Sequence, residues 1–104
     1  PMKFVEEVDV GGNARLLRVA IPADGKIGDV LRKNAAISGG FEVIDRKSIP
    51  ASLIRASSFD AKAWSDIGAD AVILADEAGG QTRIRLHLLS EGNSPKISKG
   101  YPGS

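Results

Sequence analysis

Residues Phe41 to Leu89, FEVIDRKSIPASLIRASSFDAKAWSDIGADAVILADEAGGQTRIRLHLL, decide the fold. Phe41 to Ile44 reads as a short strand closed by Asp45, followed by an irregular stretch, Arg46 to Ser58, that contains Pro50. From Ser58 to Ile67 the residues suit a helix. Ser58 or Asp60 can accept the orphan amide hydrogen bonds of its first turn, Trp64 and Ile67 lie on one face, and Gly68 stops it. Ala71 to Ala75 (AVILA) is apolar throughout, as a strand buried on both faces would be. Gly79-Gly80 then forms a turn, and Thr82 to Leu89 alternates with period two. Ile84, Leu86 and Leu88 point inward while Arg83, Arg85 and His87 point outward, which makes a hairpin with the strand before it.

Upstream, Leu16 to Ile21 (LLRVAI) is nearly all apolar and suits a central strand that Pro22 ends. Asp24 is placed to cap a helix whose apolar positions Ile27, Val30, Leu31 and Ile37 follow helical spacing. Ser38-Gly39-Gly40 terminates that helix. Lys3 to Val10 alternates loosely and precedes Gly11-Gly12-Asn13, a turn or hinge. Downstream, Pro95 to Lys99 suits a last weak strand, and Tyr101-Pro102-Gly103-Ser104 reads as a frayed end. The expected fold class is α/β of the α+β type, a mixed β-sheet packed with two helices. Helices confined to one face would leave the other wetter, in keeping with the row Arg83, Arg85, His87.

The chain has 104 residues, enough for a single domain with one modest core. Its five aromatic residues (one Trp, one Tyr, three Phe) leave that core to Val, Ile, Leu and Ala. A net charge of +1 gives no bulk pull towards nucleic acid or anionic membranes. No apolar run approaches the roughly 20 residues of a transmembrane helix. The absence of cysteine excludes disulfides and thiolate metal sites. Pro1 is not an initiator residue, so export is not readable from this terminus.

Catalytic chemistry finds little support. His87 is the sole histidine, with no G-x-S-x-G elbow to present a serine and no second histidine at ligand spacing. An exposed strand position is the expectation for it. Gly25-Lys26-Ile27-Gly28 fails the phosphate-loop pattern, because Ala20 and Ile27 stand where glycine and a hydroxyl residue are needed. Arg83, Arg85 and His87 form a basic stripe that is too short, and too poor in aromatics, for ordinary nucleic-acid binding. Trp64 is either a partner hot spot or a plug between helix and sheet, and the second is expected. Lys3 to Val10 could leave the body at its glycine hinge and add to a partner's sheet edge, or it could be an edge strand of this domain's own sheet.

The segments KFVEEV before a Gly-Asn-Ala turn, LLRVAIP, LRKNAAISGGFEVIDRKSIP and AKAWSDIGADAVILADE resemble, in order and spacing, the N-terminal domain of TolB of the Tol-Pal system. The likeness runs from about Lys3 to Leu89. It implies a non-catalytic periplasmic docking domain with a fold similar to the anticodon-binding domain of class II aminoacyl-tRNA synthetases. It implies no cofactor and no metal. The implied partner is the C-terminal domain of TolA, bound through the N-terminal strand: Lys3, Phe4, Val5, Glu6, Glu7, Val8, Asp9 and Val10. The implied setting is envelope integrity, cell division and protein or colicin import. On this reading residues 1–12 are the partner-binding strand and hinge, and 13–104 are the α/β domain. The family's linking helix and β-propeller are then absent, and Pal binding is not expected. An RNA-binding module and a lipoprotein-type envelope regulator are the alternatives from other classes.

Overall fold

The computed structural model describes residues 16–56, 58–93 and 95–102. Five strands, β1 (Leu17–Ala20), β2 (Phe41–Val43), β3 (Ala71–Ala78), β4 (Gln81–Leu88) and β5 (Ile97–Pro102), form one sheet in the order β2-β1-β3-β4-β5. The pairs β1–β2 and β1–β3 are parallel, whereas β3–β4 and β4–β5 are antiparallel. Helix α1 (Gly25–Ile37) joins β1 to β2. The return from β2 to β3 carries a 3₁₀ turn (Arg46–Ser48), a one-turn helix α2 (Ala51–Ile54) and helix α3 (Ala61–Asp66). The expected mixed sheet is present, and the segment expected to be irregular contains two of these short helical turns. The expected strand Lys3 to Val10 lies outside the described residues.

The two connections run over opposite faces of the sheet. On one face Leu31 and Ala35 of α1 pack with Val19, Ile73, Ile84 and Leu86. On the other, Trp64 of α3 packs with Ala20, Val72, Ile44 and Ile49, and Leu53 and Ile54 of α2 close the layer. Alternation along β1 and β3 sends Val19 and Ala20, or Val72 and Ile73, into different cores. This corrects the expectation of helices on one face and a wetter face opposite. Apolar residues at successive positions of a central strand require a cover on both sides.

The hairpin is as expected and longer. Ala78 is opposite Gln81, so Gly79-Gly80 is a two-residue loop with φ of 58° and 78°. Positive φ at both central residues is what a tight hairpin twisted with its strands demands. Tyr101 and Pro102 are not a frayed end, because β5 runs to Pro102 with Tyr101 opposite Thr82. Asp24 occupies the position before α1, yet its side chain makes no capping bond. It turns instead to Arg46, whose Nη2 donates to Oδ1 at 2.8 Å in a charge-assisted bond. Asp60 does cap α3, accepting from the Lys62 amide at 3.1 Å.

Trp64 is buried between α3 and the sheet, as a plug rather than an exposed hot spot. Trp64→Ala should cost about 3–5 kcal/mol in urea unfolding, with a blue-shifted tryptophan emission in the native wild-type protein. A loss below about 1 kcal/mol would mean that the indole is not packed as described.

Candidate functional site

At the carboxyl ends of the parallel strands the sheet leaves a crevice. Pairing between β1 and β3 ends at Ala20 opposite Val72, whereas β3 continues to Ala78. Chain leaves β1 towards β2 over one face, and returns to β3 over the other. Such a switch point, beside the carboxyl ends of the strands, is where open α/β sheets leave a binding crevice. The crevice here has a volume of about 510 Å³. Leu74, Phe59 and Trp64 form apolar surface within it, α2 supplies Leu53 and Ile54, and the Pro22-Ala23-Asp24 loop makes the far wall.

That loop is held by arginines. Arg32 Nη1 donates to the carbonyls of Ile21 and Ala23 at 2.8 and 2.9 Å, fixing the exit of β1 against α1. Arg46 Nε donates to the Pro22 carbonyl at 2.9 Å. A Cβ on Gly28 would collide with the Ala23 carbonyl oxygen, so the helix can approach the loop this closely only at a glycine. Two carboxylates stand at the mouth. Asp24 pairs with Arg46 at 2.8 Å and Asp76 pairs with Arg85 at 2.9 Å.

The row Arg83, Arg85, His87 is not an exposed basic stripe. Arg83 is exposed, Arg85 is half-buried against Asp76, and His87 is only 1% exposed. This corrects the expectation for His87. Its ring stacks on Phe59, centroids 4.0 Å apart and planes inclined by 19°. Asn93 Oδ1 accepts from the Ala61 amide at 2.9 Å and ties the start of α3 over this region. Neither ring nitrogen has a hydrogen-bond partner among the described residues. Burial holds the His87 pKa below its ordinary value, the Arg85 guanidinium lowers it further, and the backbone at Asn93 opposes them more weakly. The neutral ring is therefore a packing element under Phe59, and it is Phe59 that lines the crevice. Arg85 Nε is likewise buried without a partner.

No group of three or more His, Cys, Asp or Glu side chains among the described residues could hold a metal ion. No helix of the described residues is long and apolar enough to cross a membrane. The proposed strand residues Lys3, Phe4, Val5, Glu6, Glu7, Val8, Asp9 and Val10 lie outside the described residues. The chain enters the sheet at Leu17, whose amide donates to the Gly40 carbonyl at 3.1 Å. That entry is at the amino ends of β1 and β2, the pole opposite the crevice. Sequence reasoning missed the crevice, since its walls are brought together by strand order. The unequal lengths of LLRVAI and of the apolar-to-acidic run AVILADEA were the available signal.

Two outcomes are expected from these contacts. Gly28→Ala should destabilise the protein by about 1–3 kcal/mol in urea unfolding, although alanine is the better helix former, because the added methyl meets backbone. A neutral or stabilising effect would contradict the close approach. For His87 the folded-state pKa is depressed, so the unfolded chain binds the proton more tightly. Stability should be complete above about pH 6.5 and fall as the pH drops through and below that range. His87→Leu should flatten the slope of the unfolding free energy in that window. An unchanged slope would show that the ring is not responsible.

The chain matches the TolB amino-terminal domain family over residues 10–90. Its fold is similar to part of a crystal structure of TolB from Acinetobacter baumannii, with a TM-score of 0.63 at 17% identity. The similarity covers 86% of this chain and 24% of that one, so this chain spans about a quarter of the TolB that it matches. At that identity the structural likeness speaks for the fold, while the family match takes in most of the sequence. The chain belongs to the TolB amino-terminal domain family.

Proposed function

We propose that this domain is a non-catalytic periplasmic docking module that binds the C-terminal domain of TolA through Lys3 to Val10. Membership of the TolB amino-terminal domain family is the observation that carries the reading. The family match begins at residue 10, so Lys3 to Asp9 stand just ahead of it. Support from physical chemistry comes from the pattern of this segment, an alternating stretch followed by Gly11-Gly12-Asn13. An extended segment of this kind adds to a sheet edge through main-chain hydrogen bonds, and its alternate side chains fix the register. Downstream of the segment, Leu17 is anchored to Gly40 at one pole of the sheet. Such docking would place the module in envelope integrity and in protein or colicin import. Pal binding is not part of the proposal.

Titration calorimetry of the domain against a TolA C-terminal domain from the same organism tests it. Deletion of residues 1–12 should weaken binding at least about tenfold, with the far-ultraviolet circular dichroism of the folded body retained. Equal affinity before and after deletion would contradict the assignment, as would no binding by the intact domain.

A further inference from the structure

We propose that His87 is a proton-operated latch: its neutral ring holds Phe59 and the start of α3 on the sheet, and its charged ring releases them while the sheet stays paired. His87 is fully buried and stacked on Phe59, and neither ring nitrogen has a hydrogen-bond partner among the described residues. Such a site penalises a neutral imidazole, and it penalises an imidazolium, with two N–H donors, far more. Arg85 and, farther along, Arg83 share its face of β4, so a charged ring also meets like charge. The carboxylates on the surrounding elements are engaged elsewhere. In β3 Asp76 binds Arg85 at 2.9 Å, and ahead of it Asp70 accepts from the Arg18 amide at 2.9 Å. At α3 Asp60 caps the Lys62 amide and Asp66 pairs with the Lys62 side chain at 3.4 Å. In the turn Leu89–Glu91, Glu91 pairs with Lys96 at 3.5 Å.

Release is local because α3 is held unequally at its two ends. Past its last turn Arg18 Nη1 donates to the Gly68 carbonyl at 3.0 Å, and Asp70 exchanges bonds with the Arg18 backbone. None of these contacts involves the ring. Its start is held by the Phe59 stack and by Asn93 Oδ1, which accepts from the Ala61 amide at 2.9 Å. The Asn93 backbone also lies beside the ring, so both ties meet at His87. Pairing of β4 with β5 has ended at Leu86, while His87 stays opposite Val72 of β3. Lifting Phe59 thus gives the charged ring water without breaking a ladder bond of the sheet. Protons bind the open form more tightly than the closed one, so opening rises as the pH falls below about 6.5, the ordinary histidine value.

Amide hydrogen exchange of the full chain at low urea, converted to opening constants, tests the proposal. The amides of Ala61, Lys62 and Trp64 should exchange through an opening that urea barely changes. That opening should rise about ten- to thirtyfold between about pH 7.5 and about pH 5. Ile73, Ile84 and Leu86 should exchange only through the rarer, urea-dependent global unfolding. His87→Leu should leave the α3 opening flat with pH. His87 is the sole histidine, so its ring signals can also be followed unambiguously by NMR in the wild-type protein, whether or not the leucine variant folds. Their midpoint should lie below about 6.5, and the charged ring should lose its contacts with Phe59. The proposal is overturned if the α3 amides share the opening constant and urea slope of the sheet, or if their separate opening ignores pH. It is also overturned if His87→Leu responds to pH as the wild type does, or if the charged ring stays stacked on Phe59.

Discussion

Asp70 and Arg18 hold the sheet together at the point where three strands meet. The Arg18 amide donates to Asp70 Oδ2 at 2.9 Å, and the Asp70 amide returns a bond to the Arg18 carbonyl at 2.7 Å. The Asp70 carbonyl accepts from the Leu89 amide at 3.1 Å, and the Arg18 side chain reaches the Gly68 carbonyl at 3.0 Å. One aspartate thus fixes the start of β3 to β1 and to the end of β4. The C-terminus of α3 is pinned at the same place. Everything that follows inherits the register: the parallel pairing of β1 with β3, the placement of α3 over Val72, and the run of β3 past the end of β1.

From that register the molecule acquires two unlike poles. At the amino ends of β1 and β2 the chain comes in beside Gly40. At the carboxyl ends the sheet parts, and α2, Phe59 and the loop after Ile21 surround the gap. The contacts that shape this gap are mostly arginine to carbonyl, with Arg32 and Arg46 gripping the loop from two sides. They set backbone in place without filling the space between α2 and β3. The His87 ring stacks beneath Phe59, one of the residues that line the gap.

Much of the fold was legible because periodicity is local. The Gly79-Gly80 turn and the alternation of Thr82 to Leu89 state a hairpin, and the spacing of Ile27, Leu31 and their neighbours states a helix. Trp64 reads as core because it sits on the apolar face of a short capped helix. Which face each helix covers is not local, since it depends on the order in which strands pair. That is why His87 reads as exposed: its neighbours Arg83 and Arg85 are polar, and Phe59 arrives over it from 28 residues upstream. Asp24 likewise reads as a cap until Arg46 is brought beside it. Tyr101 reads as tail until Thr82 is set opposite. Family membership was legible in the ordered segments of the sequence, whereas the crevice was not.

We propose that partner recognition lies in Lys3 to Val10 and leaves the crevice at the carboxyl ends of the parallel strands unchanged. Amide hydrogen exchange of the domain, free and bound to a TolA C-terminal domain, tests it most directly. The account predicts new alternating protection within Lys3 to Val10, the signature of an added strand. It also predicts unchanged exchange at Leu53, Ile54, Leu74 and Asp76. Protection gained around the crevice, with none in the N-terminal segment, would contradict it.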